Sequence, residues 1–171
     1  MMQTRLAPHG ANGTLSLRLG RWPWTCDATV IGGPYAACPK DFYGVCLVER
    51  EPAQYHVWLP IADFSVPKKP EDVEHAIKEV FHQLLLGREV YVGCMGGFGR
   101  TGLFLALLAR AAGQADPIGY VRKNYTPRAV ETSEQEHYVI SFPVAGIQSW
   151  LHRKARGTKL RRMFRWFLRR S

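Results

Sequence analysis

One cysteine, one arginine and one threonine lie close together in the segment with the strongest chemical signal. Cys94 follows a short apolar run, and Arg100 and Thr101 come after a loop rich in glycine, Met95-Gly96-Gly97-Phe98-Gly99. Glycines let the main chain turn tightly with its N–H groups pointing inward, and the positive end of a following helix faces the same space. The sequence therefore predicts an oxyanion site over residues 95–101, with Cys94 at its rim as a thiolate nucleophile.

The two residues after the loop have distinct expected roles. Arg100 can grip two phosphate oxygens with its planar guanidinium, which Lys cannot do bidentately. Thr101 can donate its hydroxyl to the sulfur when a thiophosphate intermediate breaks. The alternative interpretation is a buried core cysteine followed by a tight strand-to-helix turn. Because the strand, the glycines, the threonine and the apolar helix all agree, we favour the phosphate site.

Asp63 is the candidate general acid. It lies 31 positions before Cys94, in a segment bounded by prolines. A phosphocysteine mechanism needs a proton donor for the leaving group and then a base for water, and one carboxyl group can do both. An aspartate near proline is commonly only a turn residue, but the phosphate loop downstream favours the catalytic interpretation. Asp41 and Asp72 are weaker alternatives.

Cys94, Arg100 and Thr101 resemble the H-C-x5-R-[ST] signature of the cysteine-dependent protein tyrosine and dual-specificity phosphatases. The resemblance covers about residues 45–142. It implies an α/β fold with a central, largely parallel sheet flanked by helices, and a strand-loop-helix active site. It further implies a covalent phosphocysteine intermediate, no metal and no organic cofactor, and a mobile acid loop over residues 58–67.

Two positions depart from the family pattern. The family usually has His before the nucleophile, whereas this chain has Gly93, which predicts a looser loop and leaves a catalytically weak, phosphate-binding adaptor as an alternative. Residues 129–135 resemble the segment that carries a water-positioning Gln in classical tyrosine phosphatases, and Glu131 stands in that place. Helix capping by Thr132 and Gln135 explains the same run equally well.

The expected substrate is a phosphorylated protein. The loop between Cys94 and Arg100 holds no Lys or Arg, which disfavours highly charged phosphoinositide headgroups. No aromatic motif of the kind that deepens the phosphotyrosine pocket in classical members precedes the nucleophile. We therefore expect a dual-specificity pocket that accepts phosphotyrosine and also phosphoserine or phosphothreonine, with RNA 5′-phosphates as an alternative.

Apolar patterns predict the elements that position these residues. An edge strand is predicted over residues 15–19, ended by Trp22-Pro23-Trp24, and central strands are predicted over residues 45–48, 56–59 and 89–92. Helices are predicted over residues 70–86 and 101–112, from Asp116-Pro117 onward, and over residues 132–142. Strands followed by helices in this order indicate one α/β domain.

Basic charge is concentrated at the C-terminal end. Nine of the 23 Lys and Arg residues lie in residues 151–171, which hold no Asp or Glu, so residues 1–150 balance 14 basic against 14 acidic groups. We predict a phosphatase domain over residues 1–150 and a basic amphipathic helix over residues 151–171. Its expected apolar face is Leu160, Met163, Phe164, Phe167 and Leu168. Such a helix binds an anionic membrane or a partner's groove, packs on its own domain or, less in favour, touches nucleic acid.

The remaining cysteines and the N-terminal residues bear on the compartment. Cys26, Cys38, Cys46 and Cys94 form no C-x-x-C pair, so the sequence indicates reduced thiols and no metal site. The N-terminal residues lack the apolar core of a signal peptide, and the longest strongly apolar run, residues 103–109, is too short to cross a bilayer. We expect a cytoplasmic protein, with peripheral membrane association through the basic helix as a further expectation.

Overall fold

The computed structural model describes the main chain of residues 9–168 and the side chains of residues 9–160. The strands are β1 (Gly13–Leu19), β2 (Cys26–Pro34), β3 (Tyr43–Cys46), β4 (Val57–Trp58) and β5 (Val90–Cys94). The helices are α1 (Pro70–Leu85), α2 (Gly99–Ala111), α3 (Pro117–Asn124), α4 (Ser133–Ser141) and α5 (Ala145–Leu168), with one 3-10 turn at Tyr35–Ala37.

The five strands form one mixed sheet in the order β1-β2-β5-β3-β4. Only the β1–β2 pair is antiparallel, whereas β2–β5, β5–β3 and β3–β4 are parallel. The strand β5 is the centre of the sheet, and its carboxyl end leads into α2. The predicted fold class, a largely parallel central sheet flanked by helices, is confirmed.

The edge strand β1 buries one of its two faces against the core. Leu15, Leu17 and Leu19 are buried, while Ser16 and Arg18 between them are exposed. This alternation follows from the two-residue period of a strand with one face on the core. The prediction of an edge strand over residues 15–19 is therefore confirmed.

The strand β2 is not predicted by the sequence pattern, because its last residues look like a turn. Gly32 and Gly33 are needed by packing: a Cβ on Gly32 would lie 2.8 Å from the ring of Tyr125, and one on Gly33 would lie 2.4 Å from the Tyr91 hydroxyl. Both distances are too short for any side chain. These glycines let aromatic rings cover the sheet beside the end of β5.

The third and fourth strands differ from their predicted positions. Strand β3 begins two residues earlier than predicted. Strand β4 covers only two residues and pairs with β3 alone, so it is an edge strand and the prediction of a central strand at residues 56–59 is wrong. A short apolar run has the same composition in either position, and the sequence alone does not distinguish them.

The two helices beside the centre of the sheet form where the sequence predicts them. Pro70 stands in the first turn of α1 with Glu71 and Asp72, where a missing N–H and negative charge are both tolerated. Its apolar stripe is buried in the main core. Helix α2 is buried along almost its whole length, which makes it a rigid support for the loop before it.

Helix α5 crosses the boundary predicted after residue 150. It begins at Ala145, and Ile147, Leu151 and Ala155 are buried against the main core. Of the predicted apolar face of the tail, Leu160 is half-buried, and Met163, Phe164, Phe167 and Leu168 lie outside the described side chains. Across residues 9–168, no helix combines the length and the apolar character that a membrane span requires.

Candidate active site

Cys94 is the last residue of the central strand β5 and lies at the base of the predicted phosphate loop. Its side chain is only 3% exposed. The Gly97 N–H donates a hydrogen bond to the Cys94 sulfur at 3.2 Å, so the sulfur faces the inside of the loop. An amide donor stabilises a sulfur anion more than a neutral thiol.

Thr101 joins the beginning of the loop to its end. The Cys94 N–H donates to the Thr101 hydroxyl oxygen at 3.0 Å, and Thr101 is fully buried. Because a hydroxyl that accepts at its oxygen keeps its own proton to donate, Thr101 retains a donor beside the cysteine. The predicted closeness of Thr101 and Cys94 is found in the structure.

The start of helix α2 contributes further donors to the loop. The helix begins at Gly99, and its N-cap residue, Phe98, makes no side-chain hydrogen bond to the first amides. The first N–H groups of a helix have no intrahelical acceptor, and together with the helix dipole they favour an anion. The arrangement suits a phosphate group above the sulfur of Cys94.

Two residues outside the predicted site hold the loop from behind. The Tyr125 hydroxyl donates to the Gly97 carbonyl at 2.5 Å, and the Asn12 amide donates to the Gly96 carbonyl at 2.9 Å. Burial raises the pKa of Tyr125 well above its usual value, so the phenol stays protonated and remains a donor. Tyr125 and Asn12 lie far from Cys94 along the chain. No pattern in the sequence identifies them as partners of the loop.

Gly93 has a packing role that the sequence does not predict. A Cβ at this position would lie 2.7 Å from the Cα of Tyr35 and 2.9 Å from the carbonyl oxygen of Gly33. The main chain after β2 therefore occupies the space that a histidine side chain would need. Gly93, where the family usually has His, is therefore in tight contact with the main chain. The structure has no open space here of the kind that a looser loop would need.

Arg100 brings the phosphate loop and the acid loop together. Its guanidinium pairs with the Asp63 carboxylate at 2.9 Å and donates to the Ile61 carbonyl at 3.0 Å. The Arg100 side chain is 6% exposed, whereas that of Asp63 is 61% exposed. A nearly buried cation needs such partners, and a phosphate dianion would offer it stronger ones. The structure thus pairs Asp63 with Arg100. Asp72, one of the two weaker candidates for the general acid, lies in the first turn of α1.

The acid loop is tethered at one side and exposed at the other. The Thr132 hydroxyl donates to the Phe64 carbonyl at 3.3 Å, and the Gln135 amide donates to the Ser65 carbonyl at 3.2 Å. Phe64 has a positive φ of 58° and its ring is 60% exposed. A left-handed conformation is uncommon for a residue with a large side chain. The loop is thus anchored by the buried Leu59 and Ile61, while Asp63 and Phe64 form an exposed tip.

Glu131 lies against the loop, although the helix cap predicted for its neighbours is also present. The Thr132 hydroxyl accepts from the Gln135 N–H at 3.1 Å, as a cap does. A Cβ on Gly99 would lie 2.1 Å from a carboxylate oxygen of Glu131, so the carboxylate lies directly against the first residue of α2. The carboxylate of Glu131 is thus a second acidic group at the rim of the loop.

Arg122 fixes the main chain that carries Glu131. Its guanidinium donates to the carbonyls of Ala129 and Val130 at 3.0 and 2.8 Å and pairs with Glu136 at 2.7 Å. Val130 has a φ of 59°, which is strained for a β-branched residue. Strain of this kind persists where the surroundings enforce it, so the direction of Glu131 is strongly constrained.

Cys38 and Cys46 lie in surroundings that disfavour a thiolate. All four cysteines are free thiols. Burial raises the pKa of the Cys38 thiol to about 11 and also raises the pKa of Cys46. Within the described part of the chain, no group of three or more His, Cys, Asp or Glu side chains is placed to hold a metal ion.

Comparison with known sequences finds curated relatives whose function is not described. No family model matches the chain. Two uncharacterized proteins of Methanocaldococcus jannaschii, MJECL20 and MJ0215, are 42% and 41% identical to it over 86 residues. The match covers 50% of this chain and 58% and 54% of the two relatives. The chain therefore spans little more than half the length of the curated relatives that it matches.

Comparison with solved structures finds phosphatases. Tk-PTP in its active form shares 25% sequence identity, with a TM-score of 0.51 over 64% of this chain and 80% of that one. Kinase associated phosphatase, with its catalytic-site cysteine replaced by serine, shares 16% identity, with a TM-score of 0.54 over 76% of this chain and 94% of that one. The chain thus has the fold of protein tyrosine and dual-specificity phosphatases, and the first likeness supports phosphatase function at the family level.

Proposed function

We propose that this chain is a cysteine-dependent protein phosphatase that hydrolyses phosphomonoesters through a phosphocysteine. The observation that carries the proposal is the meeting of three groups at one point. The Cys94 sulfur accepts a hydrogen bond from the Gly97 N–H inside the loop, and Arg100 at the end of that loop holds Asp63. Nucleophile, phosphate clamp and proton donor are the three parts that the reaction requires.

In the first step, the Cys94 thiolate attacks the phosphorus atom and forms a P–S bond. The bond between phosphorus and the ester oxygen breaks, and Asp63 gives its proton to that oxygen. Loop amides and the Arg100 guanidinium bind the phosphate oxygens and stabilise the charge of the transition state. Because the phosphate replaces Asp63 as the partner of Arg100, binding of substrate frees the Asp63 carboxylate, which takes up a proton from solvent and then donates it to the ester oxygen.

In the second step, water attacks the phosphorus atom and the P–S bond breaks. Asp63, now a carboxylate, accepts a proton from the water, and the Thr101 hydroxyl donates a hydrogen bond to the departing sulfur. Glu131 lies at the rim of the same loop, where a carboxylate can accept a hydrogen bond from the water and hold it in line. Inorganic phosphate and the Cys94 thiolate are regenerated together.

The rim of the site supports an aromatic phosphoester as a good substrate. The Met95 side chain is 74% exposed and the Phe64 ring is 60% exposed, and both adjoin residues of the proposed reaction. Apolar groups at the entrance favour contact with the phenyl ring of phosphotyrosine. Phosphoserine and phosphothreonine have no ring to use this contact, so we expect them to be slower substrates of the same site.

The test is hydrolysis of p-nitrophenyl phosphate and of phosphopeptides by the purified chain. We expect turnover by the wild type and a loss of at least about 10⁴-fold in Cys94→Ser, because the serine hydroxyl is not ionised. Equal turnover by Cys94→Ser and wild type would reject the proposal. If the wild type bound phosphopeptides and left them intact, the chain would be a phosphate-binding adaptor.

A further inference from the structure

A turn that contains Trp22 and Trp24 lies against the second half of α5. Both segments are distant in sequence from the proposed active site. A Cβ on Gly20 would lie 2.8 Å from the Cβ of Ala155. The ammonium group of Lys159 donates to the carbonyl of Pro23 at 3.2 Å. The turn closes on itself through a hydrogen bond from the Trp24 N–H to the Arg21 carbonyl at 2.7 Å. Turn and helix therefore form one surface, which we call the turn–helix surface (residues 21–24 and 153–160).

The side chain of Trp22 projects from this surface. It is 87% exposed, more than any other large apolar side chain among residues 9–160. A fully exposed indole is unfavourable in water and is typical of an interface. Its neighbours in the turn, Arg21 and Pro23, are exposed as well. The whole tip of the turn, residues 21–23, is therefore exposed.

The helix beside Trp22 is strongly basic. Arg153, Arg156 and Lys159 are all exposed, and the sequence contains no Asp or Glu after Glu136. The nearest acidic residue along the chain from the turn, Asp27, is paired with Arg18 at 3.1 Å. The positive charge of the turn–helix surface is therefore not neutralised by acidic residues of α5 or of the turn.

The geometry of α5 directs this surface away from the core. Leu151 and Ala155 are buried, which defines the inward side of the helix. Leu160 lies nine positions after Leu151, and at about 100° per residue this places it on the opposite side. The sequence continues from Leu160 with five arginines among aromatic and aliphatic residues up to residue 170. The sequence beyond the described side chains is therefore both basic and apolar.

From these observations, we propose that the turn–helix surface binds an anionic lipid bilayer. Tryptophan is favoured at the boundary between headgroups and acyl chains, and lysine and arginine are attracted to the negative surface of an anionic leaflet. Nucleic acid would also attract the cations, but it offers no apolar partner for leucine and the aliphatic residues that follow. The combination of one exposed indole, a half-buried leucine on the side of α5 opposite Leu151 and unneutralised cations fits a bilayer surface best.

The experiment is cosedimentation of the full chain with vesicles of phosphatidylcholine, with and without phosphatidylserine. We expect binding to the vesicles that contain phosphatidylserine, weakening as salt is raised because the attraction is screened. Replacing two cations, Arg156→Gln with Lys159→Gln, should lower the partition coefficient about 25-fold, at about fivefold for each charge. Replacing the indole, Trp22→Ala, should lower it about tenfold.

Two matched variants control for charge and for exposed apolar area. Lys40→Gln with Lys123→Gln removes the same charge from exposed positions that lie outside the turn–helix surface. Leu86→Ala removes an exposed apolar side chain, 55% exposed, at the end of α1. Both controls should bind the anionic vesicles within a factor of about two of the wild type, since neither touches the surface.

Three outcomes would overturn the proposal. In the first, the wild type does not bind anionic vesicles, whether or not it binds an RNA such as polyuridylate. In the second, Trp22→Ala and the double Gln variant bind as tightly as the wild type, while removal of residues 161–171 abolishes binding, so that the turn has no part in it. In the third, the control variants lose as much binding as the variants of the surface. Because vesicle binding is measured without turnover, the result is independent of the proposed phosphatase activity.

Discussion

The phosphate loop and the acid loop meet at Arg100, but they are built in opposite ways. Several contacts hold the phosphate loop in place. Cys94 and Thr101 are joined by a hydrogen bond, and the Tyr125 hydroxyl donates to the Gly97 carbonyl. Directly before the loop, Gly93 has no room for a side chain. The acid loop instead exposes its tip, Asp63 and Phe64, which is held by the Arg100 pair and by a hydrogen bond from the start of α4.

This difference indicates a division of tasks. Stabilising a transition state requires donors that are already in place, because donors that must reorient give less catalysis. Proton transfer to leaving groups of different shapes requires a group that can move. The phosphate loop, whose Cys94, Arg100 and Thr101 are buried, is suited to the first task, and the exposed tip of the acid loop to the second. The predictions below test whether changes in the two loops have the different consequences that this division requires.

The largest effect is expected at the residue that the two loops share. Arg100→Lys keeps the charge but loses the bidentate geometry toward phosphate and also the hydrogen bond to Ile61. We expect kcat/KM for p-nitrophenyl phosphate to fall about 10³-fold. Arg88→Lys, at an exposed position just before β5, is the matched control and should keep wild-type activity. A fall of less than tenfold in Arg100→Lys would contradict the role of a phosphate clamp.

The next effect should depend on the leaving group. Asp63→Asn removes the proton donor, so hydrolysis of a substrate with a poor leaving group should slow about 10²-fold, while formation of the phosphocysteine from p-nitrophenyl phosphate should change little. Asp72→Asn, which alters a weaker candidate acid in the first turn of α1, is the control. The measurement is single-turnover kinetics with a series of aryl phosphates. A uniform loss across the series would argue against a general acid.

Two glycines three positions apart, one at the end of β5 and one in the phosphate loop, should respond differently to alanine. Gly93→Ala places a Cβ within 3 Å of fixed main-chain atoms, whereas at Gly96 the nearest atom is the Phe98 ring at 3.4 Å. Overpacking should lower the free energy of unfolding by about 2 kcal/mol in Gly93→Ala. Gly96→Ala should stay within about 0.5 kcal/mol of the wild type. Urea denaturation measures both, and equal stabilities would disprove the close contact at Gly93.

The smallest effect is expected at the rim. Glu131→Gln keeps the shape of the side chain but weakens its hydrogen bond to the attacking water, so release of phosphate from the phosphocysteine should slow about tenfold. Formation of the intermediate should be unchanged. Glu134→Gln, three positions further along and exposed, is the control. The burst and steady-state phases of p-nitrophenol release separate the two steps, and a slower burst in Glu131→Gln would refute the assignment.

The predictable part of the site consists of residues that are close in the sequence. Residues 94–101 form strand end, loop and helix start in one continuous segment, so their spacing already contains the geometry. Asp63 is identified only because a phosphate loop downstream requires an acid. Tyr125 and Asn12 hold the same loop from distant parts of the chain, and no local pattern predicts such contacts.

The fold was predictable to a similar degree and for the same reason. Strand β1 and helices α1 and α2 have clear apolar periods. Near its end, strand β2 contains Gly32 and Gly33. Because they have no side chains, they leave room for the rings of Tyr125 and Tyr91, which lie far away in the sequence. The same limit applies to Gly93, where a missing side chain suggests a loose loop until the neighbouring main chain is placed beside it.

The most direct test of the central claim is to locate the phosphate on the protein during turnover. Asp63→Asn lacks the base of the second step, so the phosphocysteine should accumulate when this variant turns over p-nitrophenyl phosphate. After acid quenching, mass spectrometry should find phosphate on Cys94, and none when Cys94→Ser is added to the same variant. Phosphate on another residue, or turnover that survives the added Cys94→Ser change, would contradict the account.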